Sequence, residues 1–322
     1  MQSSGAGESS PPNGPARPLV VCCVGTHRRN EPLRRLLNAL LVCAHQASER
    51  CVVGVVVVDD NPDGRAREVV DSFATSFDGG IRYRQLGEGN ISLVRNAAIE
   101  EALALGADWI AMTDDDCVPT ERWLSAYLDA VSRTGASAFT STCHLAAPDG
   151  APSWLTDEPF LTHGTWHFED DQMVPTGATN NSFLDAGWLR EHDDVRFDER
   201  LGVVGGEDMV FYRSAVRHGL DVRFVADAVV VGHEPASRAT FHHQLRAALW
   251  TGNTRHVTEE TLGDTTRPRS FARGGMDIAR GLVRSLTRLL RGRPPQLRFA
   301  LARCAEGLGL VLGAAGVRIK HH

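Results

Sequence analysis

The sequence predicts an α/β fold: a mainly parallel sheet flanked by helices, with an amphipathic helical extension at its C-terminal end. Three observations carry that expectation. Two early runs, Leu19 to Val24 and Val52 to Val58, are apolar and rich in β-branched residues without polar alternation, as strands covered on both faces are. Between them, Leu33, Leu36, Leu37, Leu40 and Leu41 fall at helical spacing within Glu31 to Gln46. Acidic clusters then follow the runs, at Asp59-Asp60 and again at Asp114-Asp115-Asp116.

Taken in order, strand, helix and strand form a parallel βαβ unit whose loops open at the carboxyl ends of the strands. Gly25, Thr26, His27 and Arg28 would then share a crevice with Asp59-Asp60. A second unit follows, with a strand at Ile81 to Leu86, a helix at Ser92 to Leu105, and a strand at Trp109 to Thr113 that stops at the acidic triplet. Pro119 marks a helix start running to about Ser132, and a strand is expected near Ala136 to Cys143. From Ala146 to Thr176 no periodicity holds, which in a compact domain points to a functional loop. Regularity returns with a strand at Asn180 to Phe183, a turn at Gly202 to Gly206, a helix from Glu207 to His218, and a strand at Val222 to Val231.

Composition bounds the class. The 322 residues hold 42% apolar and 23% charged side chains, enough for a core and too apolar for a disordered chain. Seven cysteines with no CxxC pair suggest a reduced, cytoplasmic protein rather than a disulfide framework or zinc site. Residues 1–18, rich in Ser, Gly and Pro, read as a disordered tail with no signal peptide. No apolar run is long enough to span a bilayer. The net charge of −6 is uneven: from Phe271 onward ten Arg or Lys face only Asp277 and Glu306. The expected organisation is a tail at 1–18, a catalytic domain at 19–260 and a basic helical segment at 261–322.

Three adjacent carboxylates repel one another unless a cation or solvent balances them. At a strand end residues i and i+2 point the same way, so Asp114 and Asp116 can face one ligand while Asp115 faces elsewhere. Oxygen ligands of this kind suit Mg²⁺ or Mn²⁺; the alternative is an acidic turn in which Asp116 or Thr120 caps the next helix. Asp60 can accept hydrogen bonds from a base or ribose, although Asp-Asn-Pro-Asp-Gly is also strong turn chemistry. Glu207 and Asp208 suit either a general base or a favourable helix start. Arg95 points a cation toward the crevice mouth, and His233 ends a strand there. His163, His167, His242 and His243 have no zinc-like spacing.

In succession, VCCVGTHRR at 21–29, VVVDDNPDG at 56–64, GNISLVRNAAI at 89–99, WIAMTDDDCVP at 109–119 and GGEDMVF at 205–211 resemble family 2 glycosyltransferases, which have the GT-A fold and invert. Asp59, Asn61 and Pro62, Trp123-Leu124, residues 176–180, Phe197-Asp198 and residues 235–238 look like the succinoglycan-type exopolysaccharide glucosyltransferases. The resemblance covers roughly residues 19 to 255, is weak between Ala146 and Met173, and is absent from both tails. It implies that Thr26 and Asp60 hold the nucleoside and Arg95 the nucleotide. Asp114 and Asp115 belong with the nucleotide-sugar, and Asp116 with His233 at the metal, Mg²⁺ or Mn²⁺. Asp208 with Glu207 supplies the base. The family's first motif usually has Pro where this chain has Gly25, which puts the local backbone in question.

The implied reaction moves a sugar from a nucleoside diphosphate sugar, UDP being the frequent carrier, to a saccharide or lipid-linked saccharide acceptor. A small natural product is the alternative acceptor, and a non-catalytic nucleotide-binding scaffold the alternative class. A nucleotidyltransferase would need a glycine-rich, lysine-bearing phosphate loop that the chain lacks. From Met276 to Arg291 the apolar residues and the arginines Arg280, Arg284, Arg288 and Arg291 separate on a helical wheel, and a second helix is expected from Leu297 to about Leu312. Such a helix either lies on an anionic membrane surface at the inner face of the cell membrane or packs on the core. Nucleic acid is not an expected partner, because the rest of the chain is acidic.

Overall fold

The computed structural model describes residues 17–320, so nearly all of the expected tail at 1–18 lies outside the described residues. The chain opens with β1 (Leu19–Thr26), α1 (Asn30–Gln46), β2 (Val52–Asp59), α2 (Ala66–Asp71), β3 (Ile81–Gln85), α3 (Ile91–Ala104) and β4 (Trp109–Asp114). Strands β3, β2, β1 and β4 are neighbours in that order and all parallel. Alternation along β1 explains its unbroken apolar run. Val20, Cys22 and Val24 pack with Leu33, Leu36, Leu37 and Leu40 of α1, whereas Val21 and Cys23 pack with Val94, Ala97 and Ala98 of α3. Each face of the sheet thus has its own core, and the loops after β1, β2 and β4 meet at one edge.

The middle of the chain departs from expectation. Pro119 does not begin a helix; it ends β5 (Cys117–Pro119), and α4 (Trp123–Thr134) starts four residues later. The single strand expected at Ala136 to Cys143 is two, β6 (Ala138–Thr140) and β7 (Cys143–Ala146), in different sheets. After the short α5 (Trp154–Asp157) come β8 (Asn181–Asp185), α6 (Ala186–Glu191) and α7 (Glu207–Arg217). The expected strand Val222 to Val231 is likewise split into β9 (Val222–Phe224) and β10 (Val230–His233). The main sheet is completed as β3-β2-β1-β4-β8-β6-β9, with β8 antiparallel to both neighbours, and a small second sheet runs β5-β10-β7. Asn181 joins the two. Its carboxamide oxygen accepts from Trp123 Nε1 at 2.8 Å and Tyr127 Oη at 2.6 Å, while its nitrogen donates to the carbonyls of Thr142 and Ala228.

Three long helices close the chain: α8 (Phe241–Thr261), α9 (Arg267–Leu290) and α10 (Leu297–Ala314). Glycines bring them together. A Cβ on Gly274 of α9 would lie 2.7 Å from the carbonyl oxygen of Gly307 in α10, and one on Gly313 would lie 2.9 Å from Cβ of His256 in α8. Backbones approach this closely only where side chains are minimal. The buried residues of α9 are accordingly small or polar, namely Ser270, Gly274, Asp277, Gly281 and Ser285. Of its large apolar residues, Ile278 packs on Gly307 of α10, while Leu282, Val283, Leu286, Leu289 and Leu290 face outward.

Candidate active site

A cavity of about 870 Å³ opens at the carboxyl edge of the main sheet, within the size range of small-molecule sites. Its walls come from the ends of β1, β2 and β4, the start of α3, the turn before α7, the end of β10, and α8. Thr26, Asp60, Arg95, Asp114, Asp115, Asp116, Glu207, Asp208 and His233 all line it. Residues spread over more than two hundred positions therefore converge.

Their engagements differ. Asp60 follows β2, and its carboxylate accepts backbone amides from Glu88, Gly89 and Asn90 at 2.8, 3.1 and 3.0 Å. It fastens the loop that leads into α3, where Asn90 caps the helix by accepting from Ser92 and Leu93. Thr26 donates its hydroxyl to Asp115 at 2.8 Å, and Asp115 also accepts from Arg29 at 3.0 Å. Asp115 is thus turned into the protein, as the alternation of side chains requires. Burial pushes its carboxyl up to about 6 even though Arg29 and Thr26 pull it down.

Asp114 and Asp116 face the cavity, and one oxygen of each lies within 4.8 Å of the other and of Cys117 Sγ. This is the group of potential cation ligands found among the described residues; His233 lines the same cavity outside it. The oxygens fit a hard divalent cation. Cys117 does not, because its hydrogen bond with Cys143, 3.7 Å away, together with burial holds the thiol protonated, and sulfur is a soft ligand. Gly232 in β10 makes room for this thiol pair: a Cβ there would lie 3.0 Å from Cys143 Sγ.

Arginines surround the triplet. Arg29 bonds Asp116 at 2.7 Å, Arg238 stands 4.0 Å from the same carboxylate, and Arg95 lies 3.7 Å from Asp114. Arg95 also forms an ion pair with Glu207, so it bridges the acidic triplet to the start of α7. Sequence reasoning missed Arg29, Arg238 and Cys117. Arg29, inside the first quoted motif and next to the α1 start, could have been found by its position at a strand end.

Glu207 and Asp208 open α7 after Gly205 and Gly206, whose φ angles are +96° and +87°. Two successive left-handed residues demand glycine, and so does the neighbouring helix: a Cβ on Gly206 would lie 2.9 Å from Thr254 Cγ2, and one on Gly205 would collide with Trp250. Trp250 and Thr254 of α8 both donate to the carbonyl of Val204, holding this turn from outside. Glu207 keeps Oε2 buried without a hydrogen-bond partner. Desolvation, reinforced by the charge of Glu207, raises the Asp208 carboxyl above the ordinary carboxylate range. At β1, Gly25 stands where the resemblance led to Pro, and α3 crosses closely there: a Cβ on Gly25 would stand 2.7 Å from Val94 Cγ1.

Comparison with known proteins follows the same outline. Residues 22–196 match the family model described as glycosyl transferase family 2. Over 233 residues the chain is 29% identical to the succinoglycan biosynthesis protein ExoM of Rhizobium meliloti (strain 1021), covering 72% of each. It is 35% identical over 213 residues to the galactofuranosyltransferase GlfT1 of Mycolicibacterium smegmatis, covering 62% of this chain and 67% of that protein. Among solved structures, S. aureus TarS 1-349 in complex with UDP-GlcNAc aligns with a TM-score of 0.55 at 16% identity, over 91% of this chain and 90% of that one. That likeness is one of fold.

Proposed function

Because the chain belongs to glycosyltransferase family 2 and has the GT-A fold, we propose that it moves a sugar, with inversion, from a nucleoside diphosphate sugar to an acceptor hydroxyl. The observation that carries this reading is the single cavity into which Asp114, Asp116 and Asp208 all open. UDP is the proposed carrier, supported by the UDP-GlcNAc complex of TarS. The proposed acceptor is a saccharide, in particular a lipid-linked one during exopolysaccharide or cell-surface glycan assembly; the name of ExoM, a succinoglycan biosynthesis protein, supports the polysaccharide part of that reading. The enzyme would then work in the cytoplasm, at the inner face of the membrane.

Asp208 is the general base. Its raised carboxyl has a larger affinity for the acceptor proton than an ordinary aspartate, and Arg95 offsets charge beside it. Glu207 holds Arg95 and offers its unpartnered Oε2 to a bound hydroxyl. Thr26 and Asp60 shape the nucleoside end through the contacts that fix their loops. Asp114 and Asp116 are the residues that would hold Mg²⁺ or Mn²⁺, with His233 at hand on β10. Such a cation supplies positive charge against the departing diphosphate. Arg29, Arg95 and Arg238 stand where they can pair with the same phosphates, and the carboxylates restrain them until then.

The test is a donor screen for nucleoside diphosphate release with and without Mg²⁺ or Mn²⁺, run on wild type and Asp116→Asn. Strong cation dependence and a large loss in the variant are expected. Equal release by both proteins would contradict the assignment.

A further inference from the structure

The last helices are assembled inside out. At ~100° per residue the buried stripe of α9, centred on Gly274, Asp277 and Gly281, faces α10, while Leu282, Val283, Leu286, Leu289 and Leu290 lie on the opposite side. These side chains are more than half exposed, Leu290 reaching 78%. A soluble helix ordinarily buries this stripe. Here the interface with α10 is made by Gly274, Gly281 and Ile278, and Arg284 lies over the Phe299 ring of α10 at 5.3 Å. None of the described residues covers the leucines. Arg280, Arg284 and Arg291 run along one edge of the apolar stripe, between it and α10. The acid of α9, Asp277, is buried on the packed side, where it pairs with Arg255 of α8 and Arg280. The outward surface is therefore apolar with a cationic border and no anion of its own on α9. None of the described helices is long and apolar enough to cross a membrane.

We propose that the outward face of α9 lies in the headgroup boundary of an anionic lipid bilayer, with its leucines among the acyl chains and its edge arginines on lipid phosphates. The charge complementarity selects a lipid surface over an antiparallel second copy of the chain, whose matching face would set arginine against arginine across the contact. The packing selects it as well: a helix held by its small residues keeps its whole apolar stripe available without rearranging. Leu297 and Leu301 of α10 are exposed beyond the Pro294-Pro295 turn and add apolar surface at the same end of the stack. This inference rests on α9 and α10 alone and not on the assignment of the cavity.

Vesicle flotation of the full chain tests it, using phosphatidylcholine alone and phosphatidylcholine mixed with phosphatidylglycerol. Wild type is expected to float with the mixed vesicles and remain behind with the neutral ones. Leu286→Asp/Leu290→Asp should abolish flotation, and Arg280→Gln/Arg291→Gln should lower the partition coefficient about thirtyfold, at about 1 kcal/mol per arginine. Both substitution pairs sit on the surface, so circular dichroism and donor hydrolysis without vesicles should match wild type. That control separates loss of membrane binding from loss of the cavity's chemistry. Failure of wild type to bind mixed vesicles at low salt would overturn the proposal. So would equal binding to both vesicle types, or a dimer in light scattering that Leu286→Asp/Leu290→Asp converts to monomer.

Discussion

Arg95 of α3 and Glu207 of α7, 112 positions apart in the chain, form an ion pair in which both side chains are nearly removed from solvent, at 12% and 8% exposure. The pair fixes the beginning of α7 relative to the sheet, and with it the direction of Asp208. Because Arg95 also reaches Asp114, one guanidinium sets the spacing between the start of α7 and the acidic triplet.

Removing one partner leaves a buried charge uncompensated. Arg95→Met or Glu207→Met should each destabilise the protein by about 3 to 5 kcal/mol in urea unfolding, whereas the double variant should recover much of that loss. Additive losses would show that the two side chains do not act as a pair.

Replacing Asp208 with Asn should lower kcat by about 10² to 10⁴ while changing the KM for the donor far less, since the proposed role of the carboxylate is on the acceptor proton. The acid limb of kcat against pH should lie above the ordinary carboxylate range, as its raised carboxyl must lose a proton before it can accept one. A variant as active as wild type would remove Asp208 from the chemistry.

Stability should carry a signature of Asp115. Its folded value of about 6 exceeds the unfolded 3.8, so its contribution is fully present below the unfolded value and is lost as pH rises through about 6. In the presence of a chelator, the difference in unfolding free energy between wild type and Asp115→Asn should move by about 3 kcal/mol from about pH 3 to about pH 8, with wild type losing ground. A difference that is flat with pH would show that the carboxyl titrates normally.

Cation binding can be read without turnover. Mn²⁺ at a hundred times its dissociation constant should stabilise wild type by about 2.7 kcal/mol in a thermal shift. Asp114→Asn and Asp116→Asn should abolish most of that gain, and Cys117→Ser should keep it. Retention of the shift in both aspartate variants would place the cation elsewhere.

Gly205→Ala should destabilise the protein by more than 1 kcal/mol and impair turnover, because it adds strain at φ +96° and drives a methyl into Trp250. The companion Trp250→Leu should partly relieve the collision. If Gly205→Ala unfolds at the same urea concentration as wild type, the turn has more freedom than its contacts imply.

The βαβ unit, α3, β4 and the acidic triplet were legible because periodicity and burial coincide there: each strand of Val and Cys is covered on both faces, and Leu33 to Leu40 make one stripe. The two divided strands were not. Ala138 to Thr140 belongs to the main sheet and Cys143 to Ala146 to the small one, but the chain changes sheets in two residues without a glycine or proline to mark it. The helix α8 escaped notice for a different reason. What it buries is Gly252, Asn253, Thr254, His256, Val257 and Thr258, and a single valine makes no apolar period to read. At the site, the carboxylates announced themselves by clustering. Their partners Arg29 and Arg238 did not, because a lone arginine in a sequence has no neighbour that declares its target.

The position of α8 bears on where this enzyme can be divided. One stretch of that helix steadies the turn before Glu207 through Trp250 and Thr254, while Gly252 and Asn253, in between, nestle against α10. A version cut at residue 260 would retain every acidic residue of the cavity, and Trp250 and Thr254 as well, but would lose α10, against which Gly252 and Asn253 seat α8. The C-terminal helices are thus masonry for the reaction chamber, and an engineer exchanging them for another anchor would have to rebuild that wall first.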